Sequence, residues 1–356
     1  MTNPFIAQRE LRAGRALVLF ANRGVVALSG TDRLSYLDAL VSQHILGLQP
    51  GESVESLLLD PQGHIERALR ITDDGQTSWI FVDENQAPEL AGYLDRMTFR
   101  KDAAARDVSE QFATIGMFSE EMLSSLTARV PGAIAWRDPW ERISSGGWQY
   151  ASDVEHPADG WNYSELLIPA VSVEQGRVIL EQALPGVPLV HENAWDALRI
   201  AAWRPRLTTE VDATSLPHEL DWLRSAVHLD KGCYRGQETV AKVHNLGHPP
   251  RRLVQLHLDG TSNQLPEHDA IVRFAGESVG RVTSVGQHVD EGPIALAVIK
   301  RTVDSGAELT VDAPPGSAIS ELPATQVVIV PPDAGRVVDV PRLTRFGRVF
   351  RTPLDE

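Results

Sequence analysis

The octapeptide Lys231-Gly232-Cys233-Tyr234-Arg235-Gly236-Gln237-Glu238 sets the tightest local requirement in the chain. Two glycines four residues apart permit positive φ, a tight turn or the close approach of another backbone. The segment therefore reads as a turn presenting side chains, not as the interior of a helix or strand. Between the glycines lies Cys233, the only cysteine among 356 residues. Lys231 and Arg235 stand two positions to either side, and nearby cations favour thiolate over thiol. Tyr234 adds a ring and a hydroxyl, while Gln237 and Glu238 add groups able to recognise polar atoms. A lone cysteine is also commonly a small buried hydrophobe, and spacing alone leaves both readings open.

Charge makes that basic cluster stand out. The chain carries 48 acidic and 33 basic residues, a net charge of −15, so it has no general attraction for nucleic acid or an anionic membrane. It contains no run of eighteen apolar residues that would span a bilayer. The start, Met1 to Ile6, lacks the basic and then apolar regions of a secretory signal. One cysteine forms no intrachain disulfide, which fits a reducing compartment and a cytoplasmic location. It also cannot supply the several thiolates that hold an iron–sulfur cluster stably. His244 and His248 are four apart, but Gly247 and Pro249 break the helix that would align them, so no metal site is expected.

Along the chain, Gly24–Gly30 reads as a short strand, followed by a helix with Thr31 as N-cap and Leu34, Leu37, Leu40 and Val41 on one face. Ser53–Leu59 and His64–Thr72 are strands joined by Asp60-Pro61-Gln62-Gly63, whose Asp, Pro and Gly suit a type I turn. Helices are expected around Leu90–Met97, over Ser119–Val130 with Ser119 capping, over Val173–Leu184, and after a cap at Asn193. Trp140, Trp148, Tyr150, Trp161 and Tyr163 fall in a loop-rich stretch, where they can line a flat ligand or pin loops to a core. From Arg252 to about Thr325 short strands alternate with turns, as in a small β-barrel. Mixed elements without βαβ regularity indicate an α+β fold. The expected division is residues 1–248, with 50–110 as an inserted subdomain, then a barrel over 249–325 and a tail over 326–356. The tail's Arg342, Arg345, Arg348 and Arg351 are expected to fold back onto the acidic body.

The Lys231–Glu238 segment resembles the K-G-C-Y-x-G-Q-E hallmark of the folate-binding YgfZ proteins, relatives of the glycine cleavage T protein (aminomethyltransferase). Gly276–Ser284 and Ile294–Arg301 resemble that family's barrel motif, and Arg199–Arg206 resembles its R-I-E-x-G-x-P-R with Ala201 and Trp203 at altered positions. The resemblance implies a cloverleaf of two interwoven α+β domains and a carboxy-terminal barrel around a central opening that holds tetrahydrofolate. It implies an accessory protein supporting assembly or repair of iron–sulfur enzymes, with transient protein partners and with Cys233 and Lys231 as the chemical pair. Glu165 matches the pterin-binding glutamate, a carboxylate that can accept two parallel N–H bonds. Arg199, Tyr234, Arg235, Gln237 and Glu238 complete the expected folate contacts. Transferases of the family carry an acidic pair where Glu66 and Arg67 stand here, which weakens the rival reading of one-carbon transfer. A second rival is a thiol enzyme with Cys233 as nucleophile and His228 as base.

Overall fold

The computed structural model describes residues 3–151, 155–262 and 264–338. Its opening elements are ones that hydrophobic periodicity did not announce. Helix α1 (Pro4–Arg12) starts where the Asn3 side chain accepts the Phe5 N–H and proline occupies the first turn. Strand β1 (Leu17–Phe20) follows.

The first sheet uses β2 (Gly24–Ser29), β3 (Ser53–Leu59), β4 (Ile65–Asp73), β5 (Thr77–Val82) and β6 (Ala104–Asp107). Its order is β3-β4-β5-β2-β6, with every neighbouring pair antiparallel. Alternation of side chains divides its two faces. Val26, Leu28, Ile71 and Ile80 pack with helices α2 (Arg33–Leu40) and α3 (Ala87–Met97), while Val25, Leu57, Leu59 and Phe81 face the centre of the molecule. Thr31 does not cap α2; its hydroxyl donates to Asp102, and Asp32 holds the cap position without a side-chain bond. The sheet begins with β2, ahead of the residue 50 boundary expected for an inserted unit.

The second sheet combines β1 with β7 (Phe112–Met117), β8 (Ile134–Arg137), β9 (Ser164–Pro169) and β10 (Leu189–Val190), in the order β10-β1-β7-β9-β8. Only the β1–β10 pairing is parallel within it. Helices α4 (Glu120–Arg129), capped by Ser119 as expected, and α5 (Val173–Ala183) cover its outer face through Leu123, Leu126 and Leu180. Helix α6 (Glu192–Ala201) is capped by His191 rather than Asn193, because the His191 ring nitrogen accepts the Asn193 N–H. Short helices α7 (Leu207–Glu210) and α8 (Leu223–Ala226) lead to α9 (Gln237–Leu246), which starts directly after the cysteine loop.

A closed barrel follows, formed by β11 (Arg251–Leu258), β12 (Ile271–Phe274), β13 (Glu277–His288), β14 (Gly292–Lys300), β15 (Glu308–Asp312) and β16 (Glu321–Val328). Strand β16 pairs back onto β11 and leaves no free edge. It runs three residues past the expected boundary at 325. The chain then turns back over α9: the Val337 and Val338 N–H groups donate to the His244 and Asn245 carbonyls, and His248 Nδ1 donates to Ala334 O at 2.8 Å. These bonds satisfy carbonyls at the helix end. The expected fold-back through Arg342, Arg345, Arg348 and Arg351 lies outside the described residues. The α+β architecture with its carboxy-terminal barrel is the one the sequence implied. The inner faces of both sheets, α6, Trp222 and outer barrel residues such as Leu253 and Leu296 share one core.

Candidate functional site

The residues singled out by sequence fall in two places. One is the loop carrying Cys233. Cys233 is exposed, so the buried-hydrophobe reading does not describe it. Lys231, by contrast, is anchored inside. Its ammonium donates to the carbonyls of Asp38, Val41 and Gln43 at 2.6, 2.8 and 2.7 Å, with Asp38 Oδ1 at 3.3 Å. An ammonium has three protons, so the carbonyls at and just past the end of α2 take all of them. Burial pushes the Lys231 pKa down, and Asp38 opposes that shift. The expected pairing of Lys231 with the thiol is therefore corrected: Lys231 tethers the loop.

The rest of the loop is equally occupied. Arg235 pairs with Glu66 at 3.1 and 3.3 Å rather than turning to the sulfur. Gln237 Nε2 donates to Lys231 O at 3.1 Å and closes the turn. Tyr234 is buried, its ring 5.5 Å from the Lys231 nitrogen, and Glu238 is exposed at the start of α9. Gly236 has φ of +84°, and a Cβ there would lie 2.6 Å from Asp60 O. The Asp60–Gly63 turn is thus packed against the loop, and only glycine fits the contact. Beside it opens a groove of about 730 Å³ lined by Glu66, Arg67, Tyr93, Arg96 and Arg235 among others.

Both rival chemistries lose their groups in this region. Glu66 is held by Arg235 and Arg67 by Glu89, so the position of the transferase acids carries closed ion pairs. His228 Nδ1 accepts the Asp230 N–H at 3.2 Å. Its neutral ring then carries the proton on Nε2, the wrong tautomer for accepting one there. Burial and then His44, whose ring lies 5.6 Å away, lower its pKa. Among the described residues no group of three or more His, Cys, Asp or Glu side chains is placed to hold a metal.

The second place is the centre. Glu165, on β9, is 0% exposed. Its Oε1 accepts from Tyr163 Oη at 3.1 Å and from Arg23 and Arg70 at 3.4 Å each. Arg23 also pairs with Asp83, and Arg70 reaches Asp83 at 3.1 Å. Burial opposes the Asp83 charge, but Arg23, Arg70 and Arg206 outweigh it and hold the pKa down at about 2. Burial, then Glu165, drives the Tyr163 pKa well above its ordinary value. A second buried pair stands opposite. Arg204 donates to Glu55 at 2.6 Å and Asp138 at 3.0 Å, with its guanidinium over Trp140. Trp161 donates to the same Asp138 oxygen at 2.9 Å.

Arg199, expected at a folate tail, is 0% exposed and serves packing. It binds Asp196, Glu210, Arg204 O and Ser284, joining α6 to barrel strand β13. Of the aromatic stretch, Trp140, Tyr150, Trp161 and Tyr163 are core residues and Trp148 is partly exposed. Arg70, Trp195, Arg204 and Trp222 are the central residues that sequence reasoning missed or left undistinguished. Arg204 lay within the altered R-I-A-A-W-R-P-R segment, the one signal that pointed to it.

These side chains enclose a cavity lined by Glu55, Arg70, Tyr163, Glu165, Trp195, Arg204 and Trp222 among others, with about 30 Å³ of room. That is room for a water-sized guest, an order of magnitude below an ordinary ligand pocket. The expected central opening is narrow in this conformation and does not have room for a folate ring. The polar groups around it fit a reduced folate in kind. Glu165 Oε2 has no partner, and neither have Arg70 Nε, Trp195 Nε1, Arg204 Nη1 and Trp222 Nε1. A pterin offers a donor edge for the carboxylate and ring acceptors for the N–H groups.

Comparison with known proteins agrees with this architecture. Residues 251–328 match the glycine cleavage T-protein C-terminal barrel domain. The chain is 25% identical over 330 residues to an iron–sulfur cluster assembly factor IBA57 homolog of Mycosarcoma maydis, covering 80% of this chain and 75% of that protein. It is 26% identical over 282 residues to the tRNA-modifying protein YgfZ of Yersinia enterocolitica, covering 74% and 77%. The aminomethyltransferase T of Bartonella henselae shares the fold, with a TM-score of 0.67 at 17% identity over 92% of this chain and 90% of that one. The chain is thus similar to YgfZ and T-protein sequences in its barrel and over most of its length, and it shares the T-protein fold.

Proposed function

We propose that this protein is an accessory factor for iron–sulfur enzymes, with Cys233 as its functional thiol and a reduced folate as its central ligand. The observation that carries the reading is the contrast within three residues: Lys231 is locked to three carbonyls while Cys233 stands exposed. Anchoring of this kind fixes a loop so that one side chain is presented to a partner. Names among the relatives point the same way, one being an iron–sulfur cluster assembly factor.

Folate, when bound, supplies a carrier for one-carbon units. This chain's residues would hold it through Glu165 on the donor edge, with Arg23 and Arg70 orienting that carboxylate. The transferase reading is second, and the paired state of Glu66 and Arg67 argues against it. The relative named as tRNA-modifying does not imply direct RNA contact here, because the net charge of −15 opposes it.

The test is rescue. In cells lacking the protein, Cys233→Ser should fold normally and fail to restore the activity of an iron–sulfur enzyme. Full rescue by this variant would remove the thiol from the function.

A further inference from the structure

Five polar atoms without partners belong to side chains that line one small cavity: Glu165 Oε2, Arg70 Nε, Trp195 Nε1, Arg204 Nη1 and Trp222 Nε1. Buried polar groups are normally paired, and each orphan needs an explanation. Four of the five belong to side chains at least nine-tenths buried: Glu165 at 0%, Trp222 at 1%, Trp195 at 5% and Arg204 at 6% exposure. One water makes four hydrogen bonds at most, fewer than the groups present. The set is also lopsided, with four N–H donors and a single acceptor. A guest that satisfies it presents acceptors over most of its edge and a donor at one end. The aminopyrimidinone ring of a reduced pterin offers N1 and its carbonyl oxygen as acceptors beside the donor edge of amine and N3–H, and indole rings can also stack on it.

We propose that Trp195, Trp222 and Arg204 form the donor side of the central site and bind the acceptor edge of the heterocycle whose donor edge meets Glu165. The inference rests on the folate reading given above and assigns residues to it. Admission of the ring requires one wall to withdraw, since about 30 Å³ does not contain it. Arg204, Pro205, Arg206 and Leu207 supply that wall as one stretch of chain between α6 and α7. Arg204 thus has two roles: it closes the cavity through Glu55 and Asp138, and it offers Nη1 to the guest.

Trp222 gives the cleanest test. Its indole N–H has no partner inside the protein, so Trp222→Phe breaks no internal hydrogen bond and keeps an aromatic ring. The full-length protein, Trp222→Phe, Trp195→Phe and Glu165→Gln are titrated with 5-formyltetrahydrofolate by calorimetry, and each is melted without ligand. Saturable binding by the wild type is expected, with each tryptophan substitution weakening it about 10-fold, while the melts, lowered by the smaller ring in the core, show each variant folded at the titration temperature. Binding by the wild type with both tryptophan variants within about twofold of it overturns the donor-side assignment and leaves the folate reading intact. No saturable binding by the wild type overturns both.

Discussion

The interior of the barrel and the cavity between the two sheets are filled by different chemistry. Inside the barrel Val254, Leu256, Val272, Val282, Ala297, Ile299 and Val311 meet one another, and the buried Arg252 on the same face is held by Val303 O and Gln326 without a carboxylate bonded to it among the described residues. The centre holds Arg23, Arg70 and Arg204 against Asp83, Glu165, Glu55 and Asp138. Apolar packing stabilises a closed strand set by itself. Buried ion pairs seldom do better than apolar residues of the same volume, because desolvation opposes them. The barrel core is thus mainly apolar packing, whereas the centre is built from paired charges, which the proposed folate site would use for recognition.

The sharpest way to break this contrast is to remove Arg204. Arg204→Ala leaves Glu55 and Asp138 buried without their cation, and it should lower unfolding free energy in urea by about 3–5 kcal/mol. A near-neutral result would mean the pairs are already solvated and the centre is open. In the barrel, Leu256→Ala should cost about 2–5 kcal/mol through a cavity alone.

Asp221 sharpens the comparison at intermediate size. It is fully buried beside Trp222, accepts the Tyr150 N–H at 2.6 Å, and leaves Oδ2 unpaired. Burial pushes its pKa up to about 7 from 3.8, against the Tyr150 bond and Arg224. A raised carboxyl pKa contributes stability that is complete below 3.8 and disappears as pH rises through 7, at about 1.4 kcal/mol per unit between them. Asp221→Asn should therefore gain melting temperature over the wild type at pH 8 and much less at pH 5. Its φ of 53° is one that asparagine tolerates. An equal gain at both pH values would remove the buried charge from the account. His156 and His218, each held down at about 3 by burial, act in the other direction. Their stability is present above 6.5 and is lost as pH falls toward 3, in the wild type and the variant alike.

The smallest effect is expected at Cys233. It is exposed, so Cys233→Ser should move stability by less than about 1 kcal/mol. A larger loss in denaturant melts would place the sulfur in packing after all.

Much of the fold could be read from local chemistry. The Asp60–Gly63 turn, the Ser119 cap and the strands at Gly280–Ser284 and Ile294–Ile299 are short-range patterns, and each appears where expected. The central site was legible at Glu165 and not beyond it. Arg70, Trp195 and Trp222 come from three distant segments, and nothing in their neighbours separates a cavity wall from a core position. Lys231 shows the opposite error. Beside a cysteine in sequence, it looked like a partner for the thiol, whereas its four-carbon stem carries the charge inward to the end of α2. Linear proximity registers which residues are neighbours, while the direction a side chain takes is set by what lies beneath.

The return of residues 331–338 over α9 has a consequence for how the molecule comes apart. The linker Gly247–Pro250 joins α9 to the barrel, and a protease nick there would be the expected way to separate the two bodies. Yet Val337, Val338 and Ala334 attach the far end of the barrel chain to His244, Asn245 and His248. Arg251 also reaches Asp212 and Glu219, at 2.6 and 2.8 Å. A cut polypeptide should consequently co-elute as a nicked whole on gel filtration, dissociating only in denaturant.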